Sequence, residues 1–275
     1  MIGSSIQPTA EQQAVLRRFA EACEADDRVA AAFLGGSFAR GTADAYSDLD
    51  IYAITTDEGY DGFFADRNDF MRRLGRPVFL EDFNEFGFDM VLFTFEDGVE
   101  GELALARESG FDHIHGGPHR VLVDKKGLLE GKTFPPYHPA EDDQRKTLRH
   151  EVLWFWDNLS YFVRTIHRGK LWSAYGALNE MRMKCLKLAR LRQDFATEHT
   201  AYSGVEGILP SEELRLLEAT VTPLERGAMV EAARALVAYY RQVAPPLAEE
   251  HGIEYPAGLE RVVLRRLDEL TGGTT

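Results

Sequence analysis

The hydrophobic pattern changes character part-way along the chain, and that change limits the fold more than any other feature. Up to about residue 126, apolar residues come in short runs, Val29–Leu34, Ile51–Ile54, Phe88–Phe95, Val99–Leu105 and Val121–Val123, each of strand length. Beyond residue 150 they recur at intervals of three and four. Val152, Phe155 or Trp156, Leu159, Phe162 or Val163 and Ile166 form one such series, and Leu171, Ala174, Leu178, Met181, Cys185 and Leu188 a second; both are the stripes of amphipathic helices. Between the regimes lie residues 132–143, Lys-Thr-Phe-Pro-Pro-Tyr-His-Pro-Ala-Glu-Asp-Asp, polar, proline-rich and without period, as a linker is. The expectation is an α+β chain, with a mixed twisted sheet flanked by helices over 1–135 and a helical bundle over 144–275.

Local signals fill in the elements. Pro8 and Thr9 precede Val15, Phe19 and Cys23 at helical spacing, which predicts an opening helix over 8–24. Asp61–Leu74 reads as another, stopped by Gly75, and the chain turns strand-like after Pro77. Asp97-Gly98 between two apolar runs predicts a hairpin, since the turn needs positive backbone angles. The first bundle helix should end at Arg168-Gly169, and further helices are expected within 211–220, 223–243 and 257–271.

Charge and cysteine content narrow the function classes. A net charge of −14 over 275 residues argues against a nucleic-acid surface, which would show clustered Lys and Arg, and suits a cationic small molecule better. Cys23 and Cys185 are too few for a disulfide framework or a zinc site and read as buried small apolar residues in a reducing compartment. The first residues lack the basic start and apolar stretch of a signal peptide, and no run reaches membrane-spanning length, so a cytoplasmic protein without a membrane partner is expected. Nothing indicates an oligomeric state.

The chemistry concentrates in one short stretch. Gly35-Gly36-Ser37 follows the first strand, and Asp48-Leu49-Asp50 comes after ten intervening residues, within a second strand read as Ser47–Ile54. Residues two apart on a strand face the same side, so Asp48 and Asp50 present their carboxylates together. Like charges side by side call for a cation, and a hard divalent ion such as magnesium prefers carboxylate oxygen. The glycines allow a tight turn that brings backbone N–H groups close to a ligand, Ser37 adds a hydroxyl, and a helix opening there would favour phosphate. A phosphate cradle beside a metal site is what phosphoryl or nucleotidyl transfer needs.

Residues 35–50, Gly-Gly-Ser-Phe-Ala-Arg-Gly-Thr-Ala-Asp-Ala-Tyr-Ser-Asp-Leu-Asp, resemble the signature of the polymerase-beta-type nucleotidyltransferase superfamily, and within it the bacterial aminoglycoside and lincosamide nucleotidyltransferases. Trp154-Phe-Trp156, the segment 168–174 and Leu247–Pro256 are similar, less specifically, to the helical part of streptomycin-type adenylyltransferases. The resemblance implies a nucleotidyltransferase domain over 1–135, a helical substrate- and nucleotide-closing domain over 144–275, ATP as donor and two magnesium ions. It implies transfer of AMP to a hydroxyl of a small cationic acceptor such as an aminoglycoside. Transfer to a protein or an RNA end, and a non-catalytic nucleotide-binding regulator, are the competing readings.

In such families a third carboxylate comes from a later strand. Glu102, on the returning strand of the hairpin, is matched to it, with Asp89 and Glu100 as competitors. The metal ligands implied are thus Asp48, Asp50 and Glu102, while Gly36 and Ser37 would contact the phosphates and Arg40 would add charge there. Asp157, on the polar face of the first bundle helix with Tyr161, Arg164 and Arg168, is the preferred general base, with Glu180 as the alternative. Glu180 also precedes Lys184 by four residues, the spacing of an ordinary surface ion pair. Lys184 and Lys187 share a helix face and would reach the triphosphate. His113 and His115 alternate before Gly116-Gly-Pro118; a loop leading into the last strand and lining the substrate edge accounts for them better than a transition metal does.

Overall fold

The computed structural model describes residues 7–136, 140–195 and 201–270. The chain divides into two compact units, Met1–Tyr137 and His138–Thr275. Residues 137–139 of the expected linker, and residue 271 of the expected last helix, lie outside the described residues.

The first unit is built on a six-stranded sheet. Its strands are β1 (Val29–Leu34), β2 (Leu49–Thr55), β3 (Pro77–Phe83), β4 (Asp89–Phe95), β5 (Glu100–Arg107) and β6 (Arg120–Asp124), in the spatial order β3-β4-β5-β2-β1-β6. Only β2 and β5 run parallel; every other neighbouring pair is antiparallel. All six residues of β1 are buried, which is why that strand reads as a continuous apolar run rather than an alternating one. The β4–β5 hairpin turns at Gly98, whose φ of +83° explains the Asp-Gly pair in the sequence.

Alternation along the central strands divides the unit into two layers. Leu34, Leu49, Ile51, Ala53, Val91, Phe93, Leu103 and Leu105 pack with Val15, Phe19, Phe70 and Leu74 from the helices. Those helices are α1 (Ala10–Ala25), α3 (Tyr60–Ala65) and α4 (Arg67–Leu74). The opposite face carries Phe33, Tyr52, Ile54, Met90, Ala104 and Ala106, covered by Phe111, Ile114, Leu129 and Phe134 from the chain around β6. The single helix expected over 61–74 is broken at Asp66, which leaves helical geometry at φ −93°, ψ 3° and serves as C-cap of α3 and N-cap of α4. The break lets Phe63 and Phe70 both reach the core, their rings 4.8 Å apart.

The second unit is helical: α5 (Glu141–His167), α6 (Leu171–Gln193), α7 (Val205–Ile208), α8 (Ser211–Glu218), α9 (Arg226–Glu250) and α10 (Ala257–Glu269). α5 begins inside the segment read as linker, its first turn carrying Glu141, Asp142 and Asp143, acids that complement the helix dipole. α9 continues past the expected end near residue 243, through Pro245 and Pro246 to Glu250. Its apolar stripe explains the continuation, because Val243, Ala244, Leu247 and Ala248 are all buried and outweigh the two lost N–H donors. At the centre, Phe155 stacks on Tyr240 with ring centroids 3.8 Å apart, and the Tyr240 hydroxyl donates to the Val152 carbonyl at 2.6 Å.

Candidate functional site

The site starts at the end of β1. Gly35 donates its N–H to the Asp50 carbonyl at 2.9 Å, and the chain then winds into a single short helix, α2 (Gly36–Arg40), closed by Gly41 at φ +72°. Gly36 itself has φ +50°, and a Cβ there would lie 1.7 Å from Oδ2 of Asp50. Glycine is therefore required twice over, by the backbone angle and by the carboxylate pressed against it. Ser37 Oγ is enclosed and has no hydrogen-bond partner among the described residues, an unmet polar group that a ligand oxygen would satisfy.

The carboxylates arrive from three directions. β2 begins at Leu49, so Asp48 stands just outside the strand rather than in it, exposed and without a hydrogen bond or ion pair among the described residues. The reason lies in the preceding loop, where Asp44 accepts from the Tyr46 N–H at 2.8 Å and Ser47 Oγ accepts from the Asp44 N–H at 2.9 Å. α1 holds this loop in place. Gln12, 4% exposed, donates to the carbonyls of Asp44 and Ser47 at 3.2 and 2.7 Å.

Asp50 and Glu102 are register partners across the parallel β2–β5 pair, so both face the same side of the sheet. Gly101 permits that pairing, since a Cβ there would meet the Leu49 carbonyl oxygen at 2.3 Å. Asp48, Glu100 and Glu102 line a groove of about 250 Å³ with Phe79, Leu92, Phe93 and Thr94. Of the competitors for the third carboxylate, Glu100 is exposed and lines the same groove, whereas Asp89 lies at the other end of β4, opposite Leu105, hydrogen-bonded to the Tyr60 hydroxyl. Larger hollows, about 540 Å³ beside Asp89 and Arg107 and about 620 Å³ along Arg72–Leu80, border none of Asp48, Asp50 and Glu102.

The carboxylates feel one another. Burial, then the charges of Asp50 and Asp48, push the Glu102 carboxyl up to about 7. Asp50 is raised by burial and by Asp48, against the opposing pull of Arg40, which is exposed at the end of α2. Burial and neighbouring negative charge disfavour the ionised forms of Asp50 and Glu102, and a hard divalent cation, which prefers carboxylate oxygen, would relieve that repulsion. Among the described residues no three ligating side chains are gathered around one point; Asp48, Asp50 and Glu102 are linked through charge and register.

Behind the turn stands an aromatic wall that the sequence pattern did not reveal. Tyr52 stacks on Phe33 at 4.4 Å, and its hydroxyl pKa is raised by burial and by the charges of Glu102 and Asp50. His115 packs edge-on to Tyr52 and Phe33, with Nε2 3.0 Å from the Pro118 carbonyl oxygen. A Cβ on Gly35 would come within 2.8 Å of the Tyr52 ring and 2.9 Å of His115 Cε1. Burial lowers the His115 pKa, which favours the neutral form of the imidazole against the turn. Only the period-2 position of Tyr52 after Asp50 hinted at this; the His115 contact depends on tertiary packing.

In the helical unit, Asp157 is exposed on α5 with Trp154 and Tyr161 on the same face. It has no hydrogen bond or ion pair among the described residues. Lys184 and Lys187 do come together, but around Glu151, at 3.1 and 3.3 Å. Lys184 thus pairs with a buried acid of α5, and the expected surface pair with Glu180 does not form. Burial explains the choice, because Lys184 and Glu151 are both enclosed and each needs a counter-charge. Cys23 and Cys185 are both buried free thiols.

A mixed sheet with a Gly-Gly-Ser turn set against acidic residues of the neighbouring strand, followed by a helical unit, defines a class, the nucleotidyltransferases. The family follows from comparison with known proteins. The model of the family described as streptomycin adenylyltransferase matches residues 9–269, and the chain belongs to that family. Among solved structures, an aminoglycoside 6-adenyltransferase from Bacillus subtilis shares 18% identity over 94% of this chain and 97% of its own, with a TM-score of 0.42. A nucleotidyltransferase-like protein from Exiguobacterium sibiricum 255-15 shares 12% identity over 88% and 79%, with a TM-score of 0.37. No curated protein matches the chain. Among the described residues, no helix is long and apolar enough to cross a membrane.

Proposed function

We propose that this enzyme transfers AMP from ATP, with magnesium, to a hydroxyl of a cationic aminoglycoside. The observation that carries the reading is the register pair Asp50–Glu102, with Asp50 set against the backbone of Gly36, which joins two carboxylates of raised pKa to a turn with an unsatisfied serine hydroxyl.

Asp48, Asp50 and Glu102 would hold the divalent cations. When bound, these ions neutralise phosphate charge and favour the ionised form of the attacking hydroxyl. The chain's own groups do the rest. Gly36, lacking a side chain, lets the phosphates approach the turn, Ser37 Oγ donates to a phosphate oxygen, and Arg40 adds positive charge at the end of α2. The acceptor oxygen forms a bond to the α-phosphorus while the bond from that phosphorus to the β-bridging oxygen breaks, and pyrophosphate leaves with the bonding pair. Asp157, an unpaired exposed carboxylate, is the candidate to receive the hydroxyl proton. The chain's net charge of −14 favours a cationic acceptor over a polyanion.

The test is to incubate the purified protein with magnesium and each nucleoside triphosphate against aminoglycosides, lincosamides and bulk RNA, following pyrophosphate release and acceptor mass. The expected result is a mass gain of one AMP on an aminoglycoside, with ATP preferred. Asp50→Ala should lower kcat/KM by about 10³-fold or more, several kcal/mol of lost transition-state stabilisation. Labelling of RNA alone would overturn the acceptor, and absence of turnover with every acceptor would overturn the reaction.

A further inference from the structure

The second face of the sheet is closed over only part of its length. Phe33, Tyr52, Met90 and Ala104 pack under Phe111, Ile114, Leu129 and Phe134. At the ends of β3, β4 and β5 that meet Glu102 the same face is open, with Phe79 46% exposed, Glu100 exposed, and Leu92 and Thr94 half-buried. Register ties these residues together. Phe79 stands opposite Thr94 and Thr94 opposite Glu100, a row across three strands; two residues along, Leu92 stands opposite Glu102, which is opposite Asp50. Residues directly opposite one another, and residues two apart on one strand, point to the same side. Phe79, Leu92, Thr94 and Glu100 therefore share the face of Asp50 and Glu102, and they line the groove of about 250 Å³ that Asp48 and Glu102 also border.

Packing within the first unit accounts for neither Phe79 nor Glu100. Phe79 holds a large apolar ring in view of solvent on an edge strand, beside the reacting carboxylates. Glu100 has no hydrogen bond or ion pair among the described residues, and the groove is lined by Asp48, Glu100 and Glu102 without a Lys, Arg or His to answer them. On β2, Glu102 faces Asp50, while Glu100 has no register partner, because the pairing begins at Leu49 and Gly101. Once Asp48, Asp50 and Glu102 are committed to divalent cations, Glu100 is the negative charge left in the groove. A ring beside an uncommitted carboxylate suits a protonated amino sugar, whose cation is drawn to the ring face and whose N–H groups donate to the carboxylate.

We propose that Glu100 and Phe79 are specificity-determining residues for the acceptor. Glu100 pairs with an ammonium or guanidinium group, and Phe79, with Leu92 beside it, carries the adjoining sugar ring along the open sheet face. The inference rests on the nucleotidyl-transfer reading, and it takes Glu100 out of the contest for the third metal ligand.

Titration calorimetry with streptomycin and with kanamycin tests it, in magnesium and α,β-methylene-ATP, which cannot be cleaved at the reacting bond. For whichever aminoglycoside the wild type binds more tightly, Glu100→Gln should weaken binding about tenfold or more through loss of a charge-assisted hydrogen bond. Phe79→Ala should weaken it about fivefold or more, and Phe79→Tyr should restore it. In turnover, Glu100→Gln and Phe79→Ala should raise the KM for the aminoglycoside and leave the KM for ATP and the magnesium requirement unchanged. Glu85→Gln makes the same charge change on an exposed acid outside the groove and should bind as wild type does. Unchanged binding by Glu100→Gln, or equal weakening by Glu85→Gln, would overturn the pairing; a raised magnesium requirement in Glu100→Gln would return that residue to the metal set. Unchanged binding by Phe79→Ala would overturn the part given to the ring. If an aminoglycoside is labelled with AMP while Glu100→Gln binds it unchanged, the acceptor wall falls and the reaction stands. If an aminoglycoside binds through Glu100 and is never labelled, the wall stands and the transferase reading falls; if neither binds nor is labelled, both fall.

Discussion

Glu102 is the residue whose titration should be visible in both stability and activity. Its carboxyl is raised from 4.5 to about 7, first by burial and then by Asp50 and Asp48, so the folded state binds this proton more tightly than the unfolded chain. Its contribution to stability is therefore complete below about pH 4.5 and lost as the pH rises through 7. Glu102→Gln, which removes the charge, should melt a few degrees higher than wild type at pH 8 and show little difference at pH 4, by differential scanning calorimetry without divalent cations. The sign reverses for function. A cation must displace the proton, so magnesium affinity should fall as the pH drops below about 7, and Glu102→Gln should flatten that dependence while lowering kcat by about 10²-fold or more. Gly36→Ala makes a second claim at this scale. A φ of +50° and a Cβ 1.7 Å from Asp50 Oδ2 mean the turn or the carboxylate must move, costing about 1–3 kcal/mol in urea melts and nearly all turnover. Gly36, Ser37, Asp48 and Asp50 stood out in the sequence because strand alternation and local spacing single them out, whereas Glu102 was matched only through the family resemblance. The packing of Tyr52 against His115 was not legible, because it joins segments far apart in sequence.

Elements explain how the loop ahead of Asp48 is held. Thr9 and Gln12 cap α1 reciprocally, the Gln12 N–H donating to Thr9 Oγ1 at 3.1 Å and the Thr9 N–H to Gln12 Oε1 at 2.6 Å. The same Gln12 side chain then ties α1 to the loop ahead of Asp48. Gln12→Ala should cost about 1–3 kcal/mol in urea melts, from two lost bonds to buried carbonyls and a lost cap, and should lower kcat by displacing Asp48. Gln12→Glu separates the two duties: it keeps an acceptor for Thr9 but has no donor for Asp44 and Ser47, so it should recover part of the cap and none of the activity. At this scale the sequence pattern was a good guide wherever local chemistry decides. Asp97-Gly98 marked its hairpin, and the three-and-four spacing marked α5 and α6. It failed where tertiary burial overrides local preference. The helix expected within 223–243 runs on through Pro245 and Pro246, because the buried stripe carries α9 across them, and the apolar periodicity over 61–74 hid the break at Asp66 that two core phenylalanines require.

At the scale of the whole molecule, the two units keep separate cores. The sheet layers of the first contain residues no later than Phe134, and the helical core begins at Leu148. Such an arrangement does not oblige the chain to unfold in one step. The tryptophans offer a way to see this, since Trp154, Trp156 and Trp172, the three in the chain, all belong to the helical unit. Fluorescence thus follows the second unit, while far-ultraviolet circular dichroism follows both. Leu103 is fully buried on the central strand β5, next to Glu102, and Leu103→Ala should destabilise the first unit by about 2–5 kcal/mol through the cavity it leaves. If the cores are energetically separate, the dichroism transition of Leu103→Ala splits and its early part moves to lower temperature, while the tryptophan transition stays at the wild-type midpoint. Magnesium with ATP should then raise the early transition in wild type, because a ligand stabilises the unit that binds it. A tryptophan midpoint that falls in step with the dichroism would show one cooperative molecule instead, and with it a coupling between sheet and bundle that their separate cores do not supply.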